Sequence, residues 1–288
     1  KSGLTKTDTP CTEAEFLCEG GWNLFNAVVD INSRPHLHCA MTVGAEHDIT
    51  DANRRAWNAQ RYEAWLSAFE SPKAEAAKII ADPERILRRL LPYLGQVADK
   101  RICNVQGSHG RVAVALARLR AEVMVIDFSA ENRRFALELA AAAEVTIDYA
   151  VCDVLKAADL SGACDFDVLV LELGILHYHQ DLDLFFAVMR KLAVRGGVLV
   201  LNEFHPLQRK LFWSEGPKDY FQTKLTEAEV PNPDAAGAAL GKCLYRFWTM
   251  GEIVTAVIKA GFTIDRLDEH PDWIDPAIPG SFTLLAHA

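Results

Sequence analysis

The sequence predicts an α/β protein built on a doubly wound, mostly parallel sheet, with an antiparallel strand pair at its C-terminal end and a helical lid. Three observations carry that expectation. From Arg101 onward, apolar runs of strand length alternate with segments of helical period, the pattern of consecutive βαβ units. Residues 101–127 read as strand, small-residue turn, helix and strand, and the second strand ends in the carboxylate of Asp127. Near the C-terminal end a helix, Gly261 and two further apolar runs close the pattern.

In order, the first strand, near Arg101–Val105, feeds the turn Gly107-Ser108, whose small side chains let a backbone approach a ligand closely. Asp127 falls 20 residues beyond Gly107, where the second strand of such a sheet ends beside the first. There it can accept two hydrogen bonds from a ribose diol. Residues 146–153 form a strand ending in Asp153, and residues 166–172 a buried strand followed by a helix start near His177. Residues 182–192 have the apolar spacing of a helix, 194–197 are its turn, and 198–204 are the fifth strand. The closing elements are a helix over 250–260, a strand near 262–267 and a strand over 281–286. The whole implies a nucleoside-containing cofactor at the carboxyl edge of the sheet.

A dinucleotide site requires Gly-x-Gly-x-x-Gly, and Gly107-Ser108-His109-Gly110 has the wrong spacing. The stretch instead resembles motif I of class I S-adenosylmethionine-dependent methyltransferases of the small-molecule type. Asn104 stands at the motif's acidic position, Gln106 and Ser108 replace its first two glycines, and Gly110 keeps the third. The later landmarks follow in that family's order over roughly residues 53–288. The resemblance implies a seven-stranded Rossmann-like sheet with S-adenosyl-L-methionine as cofactor. It would be held by Asn104, Gln106, Gly107, Ser108, Asp127, Phe128, Asp153, Val154, Glu172 and Leu173. Asp153 would lie near the adenine amino group, and Glu172 with the Leu173 backbone near the methionine part.

The chain of 288 residues divides into an arm or extension (1–50), a lid (51–98), a cofactor-binding core (99–205), a substrate-covering insertion (206–248) and a closing segment (249–288). The arm holds Cys11, Cys18 and Cys39, with His36 and His38 as candidate metal neighbours of Cys39 against an ordinary polar loop. Met41 would serve as a native start, making residues 1–40 either an upstream extension or an arm packed on a second subunit of a homodimer. In the lid, Asp51 is placed to cap one amphipathic helix running to Trp65, with Trp57 and Trp65 on one face. As a cofactor lid it would bring Asn53, Trp57 and Tyr62 to the methionine carboxylate or substrate. Asp82-Pro83 starts a further helix to Leu91. The insertion carries Phe212, Trp213, Tyr220, Phe221, Tyr245, Phe247 and Trp248 around a flexible Pro231–Gly237 middle, walls suited to an apolar or planar substrate.

A formal charge of −9 with scattered basic residues disfavours nucleic acid as partner and favours a small molecule. No stretch reaches the ~18 apolar residues of a membrane span, and no secretory signal opens the chain. Seven cysteines without CxxC spacing suit a reducing, cytoplasmic setting. Methyl transfer requires alignment and exclusion of water, and a base only where the acceptor keeps its proton. The base candidates are Glu172, His177, His179, Glu203 and His205, with His177 first, His205 second and His179 facing solvent. Glu203 with the three histidines also has the ligand types of a two-histidine, one-carboxylate iron site. Three competing expectations remain: a nicotinamide-dependent oxidoreductase on a similar sheet, a non-catalytic cofactor-binding protein, and an RNA methyltransferase, against which the acidic charge argues.

Overall fold

The computed structural model describes residues 43–160, 162–212, 218–230 and 241–288, with side chains from Ile49 onward. The expectations for residues 1–42, including the three arm cysteines, His36, His38 and Met41, lie outside the described residues. So do those for Trp213 and for Pro231–Gly237.

β1 (Arg101–Val105) lies inside a seven-stranded sheet. It pairs in parallel with β2 (Glu122–Asp127) on one side and β4 (Phe166–Glu172) on the other. Beyond them lie β3 (Asp148–Val151) and β5 (Ala193–Phe204), giving the order β3-β2-β1-β4-β5, which reverses direction at β1. β8 (Thr263–Pro271) and β9 (Pro279–His287) complete the sheet, with β9 antiparallel to both β5 and β8. The reversal point is where open α/β sheets bind ligands, outside the carboxyl ends of the strands.

Both faces of the strands are buried, so their sequences read as nearly continuous apolar runs. Ile102, Val168, Val170 and Val200 face α6 (Arg111–Arg118) and α7 (Ala130–Ala142), joining a core with Leu116, Phe135 and Leu139. Cys103, Leu169, Leu171, Leu199 and Leu201 face α8 (Leu182–Leu192) and α9 (Met250–Lys259), meeting Phe185, Met189, Ile253 and Val257. Cys103 behaves as a small hydrophobe, and burial pushes its thiol pKa up. Asp181 caps α8 by accepting the Leu184 N–H, and Thr249 with Glu252 forms a reciprocal capping box on α9.

The helical region before β1 departs from expectation. In place of one helix over 51–65 there are α1 (Val43–Asn58) and α2 (Arg61–Phe69), broken at Gln60, which adopts φ 50°. Asp51 is not a cap; it lies inside α1 and pairs with Arg54 at 2.8 Å. A helix absent from the expectation, α3 (Pro72–Ala81), follows, capped by Ser71. The helix expected from Asp82 to Leu91 is split into α4 (Pro83–Leu87) and α5 (Leu91–Leu94), with Asp82 capping the first as read. Within the insertion, β6 (Thr226–Glu229) and β7 (Lys242–Tyr245) form an antiparallel pair. Asn53 ties α1 to β7, donating to Leu244 O at 3.2 Å and accepting from Leu244 N at 2.8 Å.

Candidate active site

The turn after β1 holds two non-glycine residues where glycine is the comfortable choice. Gln106 has φ 48° and Ser108 φ 49°, both left-handed, at a cost of about 1 kcal/mol each. Secondary contacts hold the strained turn. Gln106 N–H donates to Ile126 O, and the Tyr149 hydroxyl donates to Ser108 O. The Gln106 side chain is tied back, its Oε1 2.8 Å from His179 Nε2. Gly107 cannot be replaced in the same way, because a Cβ there would collide with the buried Asn104 carboxamide. Gly110, at φ 79°, would place a Cβ 2.7 Å from that of Ala136, so it lets α6 close against α7.

Asp127 ends β2 almost fully buried, 6% exposed. It accepts N–H groups from Ser129 at 2.8 Å and Ser108 at 3.2 Å, and the Asn132 side chain at 3.4 Å. Burial outweighs those donors and raises its pKa to about 6. The helices before β1 are anchored at this corner. Asn58 Oδ1 accepts from Ser129 Oγ and Ala130 N, and Trp65 Nε1 donates to Asn132 Oδ1. Trp65 also stacks on His109 at 4.3 Å between ring centres.

The loop after β4 is shaped by Glu203. Its carboxylate accepts four backbone N–H groups: Gly174 at 2.6 Å, Ile175 at 2.7 Å, Leu176 at 3.1 Å and Phe204 at 2.7 Å. That fixes a segment in which Leu173 and Gly174 both take positive φ. Glu203 is thus committed to the backbone and is not a base. The loop presents His177 against Tyr178, Tyr245 and Phe247, with ring centres 4.4, 4.8 and 6.1 Å away. Burial, then the nearby Arg209 and His179, pulls the His177 pKa down to about 3. The Glu172 carboxylate, just before the loop, has no hydrogen-bond partner among the described residues, and burial lifts its pKa to about 7.

One cavity of about 950 Å³ runs along this edge. Of the sequence-predicted cofactor residues, Asn104, Gln106, Gly107, Ser108, Asp127, Phe128, Glu172 and Leu173 line it, as do His177, Trp57, Tyr245 and Phe247. Other expected residues lie elsewhere. Asp153 and Val154 are not in its wall; Asp153 accepts the Leu155 N–H and so caps a short 3₁₀ turn over Val154–Asp159. His205 is also outside. Its Nδ1 accepts the Leu207 N–H, and its Nε2 meets Glu269 at 2.8 Å, so both ring nitrogens are used structurally. His179 does not face solvent: it is 5% exposed, packed on Phe185 and bound to Gln106. Asn53 binds β7, and Tyr62 donates to Glu138 on α7, so neither reaches the cavity. Among the described residues no group of three or more His, Cys, Asp or Glu side chains gathers as a metal site would require, and the four residues of the iron alternative turn to separate partners.

Residues 104–201 match the family of methyltransferase domains. Over that stretch the chain carries a methyltransferase domain. Similar solved structures show the same fold. An S-adenosylmethionine-dependent methyltransferase from Mesorhizobium loti is 22% identical, with 73% of this chain and 100% of that one covered and a TM-score of 0.53. The magnesium protoporphyrin IX methyltransferase of Synechocystis, with bound S-adenosylhomocysteine, is 15% identical over 83% and 99% of the chains, TM-score 0.55. A [4+2]-cyclase is 14% identical over 71% of this chain and 80% of that one, TM-score 0.51. No curated protein matches the chain by sequence.

The methyltransferase cavity suits its cofactor on features of its own. Asn104 Oδ1, Ser108 Oγ and His109 Nδ1 are buried at its wall with no partner among the described residues, and each is a ready hydrogen-bonding atom. The Asp127 carboxylate retains lone pairs for a diol, and Glu172 offers a negative charge to a cationic ligand. Gln106, tied to His179, leaves the cavity open beside it. Several lining residues were not singled out from sequence: His109, Arg111, Arg89, Arg209 and Trp273. Arg111 is the most legible in retrospect, since it opens α6 directly after the motif; it pairs with buried Glu75 at 2.5 Å.

Proposed function

We propose that this methyltransferase acts on a small, planar aromatic or apolar metabolite, at oxygen, nitrogen or carbon. The observation that carries the reading is the continuity of the cavity from Asp127 to the aromatic wall of Tyr178, Tyr245 and Phe247. Its volume is at the upper end of ligand pockets, ~300–1,000 Å³, room for a cofactor and a second small molecule. The net charge of −9 also supports a small-molecule acceptor over a nucleic acid.

When bound, S-adenosyl-L-methionine supplies an electrophilic methyl group on a positively charged sulfur. The chain's part is to bind, align and keep water out. Asp127 orients the ribose, and Glu172 with the Leu173 backbone holds the methionine side. Trp57 and Trp65 close the cavity from the lid. His177 stands at the acceptor and receives a hydrogen bond from its O–H or N–H, fixing which atom points inward. With its pKa at about 3 the imidazole orients that proton but retains it poorly. Glu172, at about 7, is the better proton store where the acceptor must lose one.

The test is a panel of hydroxy-, amino- and carboxy-substituted aromatic compounds incubated with enzyme and isotopically labelled cofactor, read by mass spectrometry. Transfer of one labelled methyl group to a planar member supports the reading. Cofactor binding without transfer to any member would favour the non-catalytic alternative.

A further inference from the structure

Glu172, Asn202 and Thr283 stand in register on β4, β5 and β9, and Asp268 on β8 continues the row. Register partners project from one face of a sheet. Here it is the face on which Val170 and Val200, one pair earlier, pack into the apolar core. Asn202 and Thr283 are fully buried. Asn202 Nδ2 donates to Phe282 O at 3.1 Å and to Thr283 Oγ1 at 2.9 Å. A main-chain carbonyl only accepts, so the amide nitrogen is fixed on the β9 side. Its oxygen lies on the side away from β9, buried and with no partner among the described residues. The register partner on that side is Glu172, which lines the cavity and whose carboxylate also lacks a partner. Two acceptors cannot bond each other. A proton on Glu172 makes one of them a donor and satisfies both. The far end of the row is tied down: His270 Nε2 is 2.9 Å from Thr283 Oγ1, and the Tyr93 hydroxyl donates to Asp268.

The surrounding charges bear on whether Glu172 keeps that proton. Arg111, at the start of α6, favours the carboxylate, and buried Glu75 of α3 meets Arg111 at 2.5 Å. Arg85, Arg88 and Arg89 from α4 and just beyond it, Asp127 from β2, Arg209 after β5 and Glu229 from β6 line the same cavity. His109 and His177 there are neutral, since burial holds both pKa values at about 3. Burial outweighs Arg111 and leaves Glu172 titrating at about 7. Near neutrality the residue is poised between its two forms, and one added positive charge close by decides between them.

We propose that Glu172 and Asn202 together read the charge on the cofactor's sulfur. In the ligand-free protein, and beside the neutral product, Glu172 is a carboxylic acid donating to Asn202 Oδ1. Beside the sulfonium it is a carboxylate. The proton passes to solvent as the methyl donor binds, and Glu172 takes one up again once the sulfur is neutral; only an O–H bond breaks or forms. The pair therefore favours the methyl donor over the demethylated product, a specificity role added to binding. The inference rests on the placement of Glu172 at the methionine side.

The test measures the protons released when S-adenosyl-L-methionine or S-adenosylhomocysteine binds, by calorimetry at about pH 6.5 in buffers of different ionisation enthalpy. In the parent the donor should displace about 0.7 proton more than the product, roughly the protonated fraction of an acid titrating near 7. Asp127 meets both ligands alike and cancels in the difference. Glu172→Gln, whose amide copies the acid form, should show no difference and lose about tenfold in its preference for donor over product. In Asn202→Leu the difference should move to lower pH, because the acid form has lost its acceptor. Infrared difference spectra read the same pair without altering Asn202: a hydrogen-bonded acid C=O band should vanish with the donor, persist with the product and be missing in Glu172→Gln. Equal proton release by the two ligands in the parent, or a difference that survives Glu172→Gln, overturns the proposal. An unmoved profile in Asn202→Leu, or an acid band at the frequency of a free carboxyl, overturns the part given to Asn202. Should Glu172→Gln leave both affinities unchanged, the placement at the methionine side fails; should it weaken both ligands equally, the placement holds and the charge reading fails.

Discussion

Gln106 and His179 hold each other at 2.8 Å across the mouth of the cofactor turn. The contact answers the difficulty raised by a bulky residue at a glycine position of the motif. The long side chain is drawn aside, and its carboxamide oxygen is satisfied by a buried, neutral imidazole whose pKa burial lowers to about 3. Replacing His179 with Ala frees that side chain and leaves a polar oxygen without its partner. The expected result is weaker binding of S-adenosylhomocysteine by roughly 1–2 kcal/mol. His179→Ala with Gln106→Gly should recover most of the loss. Titration calorimetry on the single and double variants checks this, and unaltered affinity in the single variant would remove Gln106 as an obstacle.

Glu203→Gln should be among the most damaging single-atom changes in the molecule. One acceptor oxygen becomes a donor facing the N–H groups of Gly174, Ile175, Leu176 and Phe204. A buried charged acceptor of several N–H groups is lost, so destabilisation of about 2–4 kcal/mol is expected. Chemical denaturation measures it. A variant as stable as the parent would mean the loop after β4 holds its shape without that carboxylate.

His177→Gln should cut turnover strongly while leaving cofactor affinity intact, because His177 lies on the aromatic side of the cavity with Tyr245 and Phe247. Steady-state kinetics and calorimetry on the same preparation separate the two effects. An equally active variant would leave orientation of the acceptor to Tyr178 or Tyr245.

Cofactor affinity should rise with pH. Burial holds Asp127 at about 6 and Glu172 at about 7, above the ordinary carboxylate range. A ligand that donates hydrogen bonds and carries positive charge favours the ionised forms. Protons bound below those values must leave on binding, so affinity is lost as the pH falls through them. Calorimetry between about pH 5 and pH 8, in buffers of different ionisation enthalpy, should show tighter binding and fewer protons released as the pH rises. A flat profile would mean that neither carboxylate meets the ligand.

Much of this architecture was legible in the residues, for identifiable reasons. β2 and α8 occupy the expected positions, 122–127 and 182–192, because their apolar period is unbroken and α8 begins directly after its Asp181 cap. The break between α1 and α2 falls at Gln60, where neither glycine nor proline marks a turn. α3 was missed although Ser71-Pro72 is a regular helix start. Side-chain direction was the weaker inference. His179 lies just after a single 3₁₀ turn, Leu176–Tyr178, too short for any period to say which way it points. His205 was given a chemical role by its place at the end of β5, yet its neighbours in space, Glu269 and Leu207, engage both nitrogens.

The most direct measurement of the central claim is the affinity of S-adenosylhomocysteine for the parent protein and for Asp127→Ala. The account predicts measurable binding to the parent and a loss of roughly 1.5–3 kcal/mol in the variant, the worth of a charged hydrogen-bond acceptor. Equal affinity in the two proteins, or no binding to the parent, would contradict it.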